Sequence, residues 1–167
     1  YIKNDVLEVM ANGSLNYTVK GICIGMKVTW NYTPPTNGGD TFTSIKKGSK
    51  ATLKIVQDEK NGFVKELYIQ KEPDIDNRTF EAQLQKTVEQ LQITYPFLSV
   101  KNKKNGTYLI DIPQEKRLGH EEHFSKVAKA FLHYVHNQDM PEWENENTLA
   151  KYYITTTAVE MAKKGNK

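Results

Sequence analysis

Two histidines three residues apart, His120 and His123, are the side chains in this sequence best suited to proton transfer, because imidazole as a class trades protons near neutral pH. They open a segment of helical period, so both can serve one side of it. His133 and His136 repeat the spacing further along. A metal reading needs a third ligand, and Glu121 and Glu122 point elsewhere around such a helix. With no His-Glu-x-x-His arrangement and no close-set cysteines, no metal site is expected. The second candidate group is Trp30, Tyr32 and Asp40, which border a proline- and glycine-rich loop. Aromatic walls beside a fixed carboxylate suit a polyhydroxy ligand, although packing on the apolar face of the strand is the default reading of Trp30 and Tyr32. Trp30, Tyr32, Asp40, His120 and His123 are therefore the candidate substrate-pocket residues. No Ser-His-Asp order, paired glycosidase carboxylates or phosphate loop accompanies them. Cys23, the one cysteine, excludes an internal disulfide and reads as a small buried group in the run Gly21 to Gly25.

The elements that must position these residues are strands first and helices last. Residues 6–10 and 15–19 flank Asn12-Gly13, a hairpin signal. Ile22, Ile24, Met26, Val28, Trp30 and Tyr32 share one parity, which predicts a long strand that Pro34-Pro35 ends. Strands resume over 41–46, 51–57 and 64–70 with turns at Gly48 and Asn61-Gly62, so a meander of about five antiparallel strands is expected. Asp76 or Asn77 caps a helix whose inner face is Phe80, Leu84, Val88 and Leu91, ending before Pro96. Strands over 97–101 and 108–112 flank Asn105-Gly106. From His120 a helix carries the seam Phe124, Val127, Phe131 and Val135. A last helix runs from about Thr148 to Lys163, and each of the two lays one stripe on a shared core. Asp139, Glu142, Glu144 and Glu146 read as a solvated link, in which Trp143 is expected to dock on its own domain or a neighbour. The fold class expected is α+β: a two-layer arrangement of a predominantly antiparallel or mixed sheet with helices packed on one face.

A chain of 167 residues with 38% hydrophobic and 26% charged residues is sized for one domain, 1–167, and no linker interrupts it. Its formal charge of +3 gives no reason to expect nucleic acid. Lys46, Lys47, Lys50 and Lys54, and later Lys101, Lys103 and Lys104, read as turn and edge-strand residues that discourage sheet pairing. No apolar stretch is long enough to cross a membrane, and no signal peptide is visible. The chain starts at Tyr1 rather than methionine, so it reads as a processed or truncated piece. Its compartment stays open between cytoplasm and bacterial periplasm.

Three spaced motifs carry a family resemblance. Gly119-His120-x-x-His123-Phe124, then Phe131-x-x-Tyr134-Val135 with Met140-Pro141, then Ala158-x-x-Met161-Ala162-x-x-Gly165 resemble the tail of the Gfo/Idh/MocA oxidoreductases. Trp30-Asn31-Tyr32 and Gly38-Gly39-Asp40-Thr41, within Gly25 to Leu53, resemble the C-terminal domain of a bacterial subfamily of them. The likeness spans about Val6 to Gly165. It implies a two-domain enzyme in which an N-terminal Rossmann domain holds NAD or NADP. The C-terminal domain then covers the nicotinamide, supplies pocket walls for a sugar, polyol or related small molecule, and makes homo-oligomer contacts. Imidazole chemistry suits a histidine to accept the hydroxyl proton as hydride leaves the adjacent carbon, but the helix matched here is not where that family usually places its catalytic histidine. This chain has no Gly-x-Gly-x-x-Gly after a strand and no Glu-Lys-Pro, since Glu59-Lys60-Asn61 departs from it. No catalytic and no cofactor-binding residue is therefore assigned here, and the piece is expected to be inactive alone. The competing readings are a stand-alone binding or assembly module and, below it, a metal-dependent hydrolase at His120 and His123.

Overall fold

The computed structural model describes residues 2–7, 9 and 11–165. In chain order come strands β1 (Ile2–Lys3), β2 (Val6–Leu7), β3 (Gly13–Val19), β4 (Ile22–Val28), β5 (Phe42–Lys47), β6 (Ala51–Gln57) and β7 (Glu66–Lys71). Helix α1 (Asn77–Gln92), strands β8 (Ser99–Asn102) and β9 (Thr107–Asp111), and helices α2 (His120–Asn137) and α3 (Glu142–Gly165) follow. Every strand pair is antiparallel, and the class is α+β as expected. The chain divides into two units: Tyr1–Thr33 with Phe124–Lys167, and Pro34–His123.

The second unit is a five-stranded sheet in the order β5-β6-β7-β9-β8 with α1 laid across one face. The meander β5-β6-β7 follows from its short turns. The stretch containing α1 then carries the chain to the far edge, and the β8–β9 hairpin brings β9 back beside β7. That hairpin closes through Lys104, Asn105 and Gly106, all at positive φ, so a glycine beside an asparagine suits the bend. Both edges carry lysine, Lys46 and Lys47 on β5 and Lys101 on β8, consistent with edge protection. Asp76 caps α1: its Oδ2 accepts the Thr79 N–H at 2.8 Å, and that bond holds its carboxyl below the ordinary pKa.

Register sorts the sheet into two faces. Leu67 opposite Ile110 and Ile69 opposite Tyr108 look toward α1, whose Val88 is 3% exposed. Tyr108 meets the Phe80 ring at 5.7 Å between centroids and donates its hydroxyl to Glu81 Oε1 at 2.8 Å. The opposite face is more polar, as an antiparallel sheet permits. It holds Lys54, Glu66, Tyr68, Gln70 and Asp111, with Leu109 buried among them. Asp111 and Lys101 pair there at 2.6 Å.

The first unit corrects several expectations. The β3–β4 turn is Lys20-Gly21, both at positive φ as a type I′ turn requires, and not Asn12-Gly13. Val6–Leu7 pairs with Ile2–Lys3 instead; Glu8 and Met10 of the expected first strand lie outside the described residues. Strand β4 stops at Val28, so Trp30 and Tyr32 leave the ladder although their parity continues it. The register explains this: Gly13, the partner of Val28, is the first residue of β3, and beyond it there is nothing to pair with. Cys23, opposite Thr18, is exposed rather than buried, because neither face of the ribbon buries a residue. Glu142, Glu144 and Glu146 belong to α3, which starts earlier than Thr148 behind Pro141, a residue favoured at a first turn. Trp143 lies in that first turn and is exposed.

The largest correction concerns the two late helices. Neither α2 nor α3 contains a buried residue, and Phe131 is 63% exposed, so the seam is apolar without being covered. Replacing Phe131 by alanine in this chain is accordingly expected to change stability by less than about 0.5 kcal/mol on thermal unfolding, as at an open surface. A buried seam would cost about 3–5 kcal/mol. The accessible surface is 14166 Å². A self-contained monomer of 19.2 kDa presents about 8,400 Å², and even two separately folded halves present roughly 10,000 Å². Large apolar side chains such as Ile22, Trp30, Leu149 and Tyr153 are among those exposed.

Candidate functional site

The most worked polar surface lies on the second unit, where β6 turns into β7. Asp58 and Asn61 build a reciprocal cap around the short turn between the strands. Lys60 N donates to Asp58 Oδ1 at 2.9 Å and Asp58 N to Asn61 Oδ1 at 2.8 Å, while Asn61 Nδ2 donates to Val56 O at 2.9 Å. Beside this rigid corner, Glu66 and Tyr68 stand two apart on β7 and therefore on one face. Tyr68 donates its hydroxyl to Glu66 Oε2 at 2.5 Å. With Val56, Lys60 and Lys103 these groups line a shallow depression of about 390 Å³. Its chemistry is that of a hydrogen-bonding surface, with two carboxylates, two ammoniums and a neutral phenol.

The hydrogen bond to Glu66, followed by burial and the charges of Glu66 and Asp58, pushes the Tyr68 phenol up to about 12. Because the neutral phenol is the form the fold favours, this contribution to stability is intact below pH 10. It is lost as pH rises through about 12. Ultraviolet titration of phenolate absorbance should show a late component near pH 12 that Glu66→Gln moves downward. An unchanged late component in that variant would remove Glu66 as the cause.

A second depression of about 440 Å³ is lined by Gln70, Lys71, Pro73, Asn77, Asn105 and Gly106. Lys71 ends β7 and is 8% exposed. Its Nζ donates to three backbone carbonyls, Glu72 O at 3.0 Å, Pro73 O at 3.4 Å and Ile75 O at 2.5 Å. All three ammonium protons are thereby engaged in holding the bend that leads into α1, which gives Lys71 a structural role.

The residues picked from sequence lie elsewhere. Trp30 and Tyr32 belong to the first unit, while Asp40, His120 and His123 belong to the second, so no one unit carries all five. Trp30 is 75% exposed, and its backbone N–H donates to Asn12 Oδ1 at 2.6 Å. Asp40 is exposed in the loop before β5. His120 and His123 occupy the first turn of α2, where Glu122 Oε2 accepts the Gly119 N–H at 2.8 Å. His133 bonds Asp139 Oδ2 at 3.1 Å. Among the described residues no group of three metal-ligating side chains converges.

Residues 1–163 match the family described as "Putative oxidoreductase C terminal domain". This chain belongs to that family. The oxidoreductase C-terminal domain also resembles a crystal structure, at 2.23 Å resolution, of a putative oxidoreductase from Parabacteroides merdae ATCC 43184. The TM-score is 0.89 and the identity 40%, over 97% of this chain and 37% of that one. The domain thus spans well under half of that protein's length. No curated protein matches.

A nicotinamide dinucleotide does not fit the described residues of this C-terminal domain. Pyrophosphate is held where a helix N-terminus is free to offer its N–H groups. Here a carboxylate stands at each one: Asp76 on α1, Glu122 on α2, and Glu142 with Glu144 on α3. The groups that sequence reading missed are Asp58, Glu66, Tyr68 and Lys71. Asp58-x-x-Asn61-Gly62 was legible as a capped turn, and period two alone places Glu66 beside Tyr68. Nothing in the sequence marks Lys71 as buried.

Proposed function

We propose that this domain is the C-terminal, substrate-covering and oligomer-forming part of a two-domain, NAD(P)-dependent oxidoreductase of the Gfo/Idh/MocA type. The whole enzyme's substrate is a sugar, polyol or related small molecule, oxidised at a carbinol carbon. An N-terminal Rossmann domain holds the cofactor. This domain contributes walls that orient the substrate and exclude water. Trp30, Tyr32, Asp40, His120 and His123 are its candidate pocket residues, and it is inactive alone.

The observation that carries this reading is the exposed apolar side chains of α2, α3 and the β3–β4 ribbon, among them Ile22, Phe131, Leu149 and Tyr153, which a stand-alone binding module would have to cover. Membership in a family of oxidoreductase C-terminal domains and the 37% coverage of the Parabacteroides protein support it. Calorimetric titration with NAD and NADP is the test. The isolated domain is expected to give no saturable binding and the full-length protein a clear isotherm. Tight binding to the isolated domain would overturn this division of labour, and a full-length protein that binds neither nucleotide would overturn the enzyme class.

A further inference from the structure

The β3–β4 ribbon has one apolar face, on which Leu15, Tyr17 and Ile24 are half-buried and no side chain is buried. Its register sets Val19 against Ile22, Tyr17 against Ile24 and Leu15 against Met26 on that face. Ser14, Asn16, Thr18 and Lys27 take the other. No residue of the ribbon is buried, and Ile22 is 66% exposed. A lone two-stranded ribbon is marginal in water and needs a further strand or a packed layer to persist. This ribbon is regular over seven paired positions, from Gly13 opposite Val28 to Val19 opposite Ile22.

We propose that the apolar face of β3–β4 is the seat of the polypeptide that precedes Tyr1 in the whole enzyme, and not of a second copy of this chain. The inference rests on the two-domain reading and adds where the two domains meet. Three observations choose the occupant. The family is one of C-terminal domains, so the remainder of the protein lies on the Tyr1 side. The relative from Parabacteroides has most of its length outside the matched region, enough to supply a covering domain. A domain on the same chain also meets this face at an effective concentration that reaches the order of millimolar, which a free second copy does not.

Photo-cross-linking in the full-length protein separates the occupants. Met26→benzoylphenylalanine places the probe on the apolar face, and Lys27→benzoylphenylalanine places it on the opposite one. The expected result is a monomer-sized product joining the β4 peptide to a peptide upstream of Tyr1, from position 26 and not from position 27. A dimer-sized product assigns the face to a second copy, and a link confined to residues 1–167 assigns it to this chain itself. Either result, or no product at all, overturns the proposal. Nicotinamide binding by the same preparation reports on the functional reading separately. An upstream link without binding sinks the enzyme class and leaves the docking intact, whereas binding without an upstream link does the reverse.

Discussion

Replacing Tyr108 by alanine should cost the second unit about 3–5 kcal/mol, the largest loss expected from a single side chain here. The ring is 4% exposed, lies 5.7 Å from Phe80, and fixes α1 to the sheet through Glu81. Truncation opens a cavity between the helix and the central strands and forfeits the aromatic pair, worth about 0.5–1.5 kcal/mol beyond its area. Glu81 does not become an orphan, because Asn102 Nδ2 also donates to its Oε1, at 3.2 Å. Tyr108→Phe therefore loses only the hydroxyl bond, about 1 kcal/mol. Since a domain's whole stability is about 5–15 kcal/mol, the alanine variant should unfold far earlier in urea and the phenylalanine variant only slightly. A loss below about 1 kcal/mol for Tyr108→Ala would mean that α1 is not held where the Phe80 and Glu81 contacts place it.

Tyr108 and Phe131 together show what the sequence could and could not reveal. Both sit in runs of clear period, and local pattern was enough to find the strands β5-β6-β7, the Asp76-capped helix, the Asn61-Gly62 and Asn105-Gly106 turns, and the start of α2, but not that the expected meander of about five strands is divided, with β3-β4 a separate two-stranded sheet. Period identifies which side of an element is apolar; it carries no information about what covers that side. Tyr108 is covered because β9 returns to the middle of the sheet, a pairing with β7 that depends on contacts far apart in sequence. Phe131 is uncovered because nothing among the described residues buries α2. The same gap explains Trp30 and Tyr32: their parity was right, but a strand ends where its partner ends, and Gly13 begins β3. Cys23 is exposed for the same reason, since alternation does not reveal that neither face of the β3–β4 ribbon buries a residue.

The candidate site was legible to a smaller degree. Histidines, aromatics and a loop carboxylate draw the eye by residue type, yet type alone does not bring Trp30 and Asp40 into one unit. The polar corner of Asp58, Glu66 and Tyr68 is held by short-range geometry that the sequence does encode, a capped turn followed by two residues of equal parity. It escaped notice because glutamate and tyrosine on a strand are ordinary surface residues.

Lys71 is the second residue whose loss should be felt strongly. Lysine is almost never buried without a partner, because its ammonium gives up hydration on entering the interior. Here three carbonyls of the β7–α1 bend receive its protons. Lys71→Met keeps most of the stem volume and removes the donors. The cost of burying a charge then disappears, which favours the variant. Against that, the Pro73 and Ile75 carbonyls lose the donor that ties them together, at about 1–3 kcal/mol for each that water does not reach. The Glu72 carbonyl keeps the Ile75 N–H at 3.2 Å, so it adds little. Net destabilisation of about 2 kcal/mol is expected, with faster amide exchange over residues 72–76 and the first turn of α1. Lys71→Arg retains donors but not the fit, since a planar fork cannot point three bonds at carbonyls gathered around one nitrogen, and should recover only part of the loss. If Lys71→Met were as stable as the parent in urea, the bend would be held by its backbone bonds and the Asp76 cap alone, and the buried ammonium would be a passenger there.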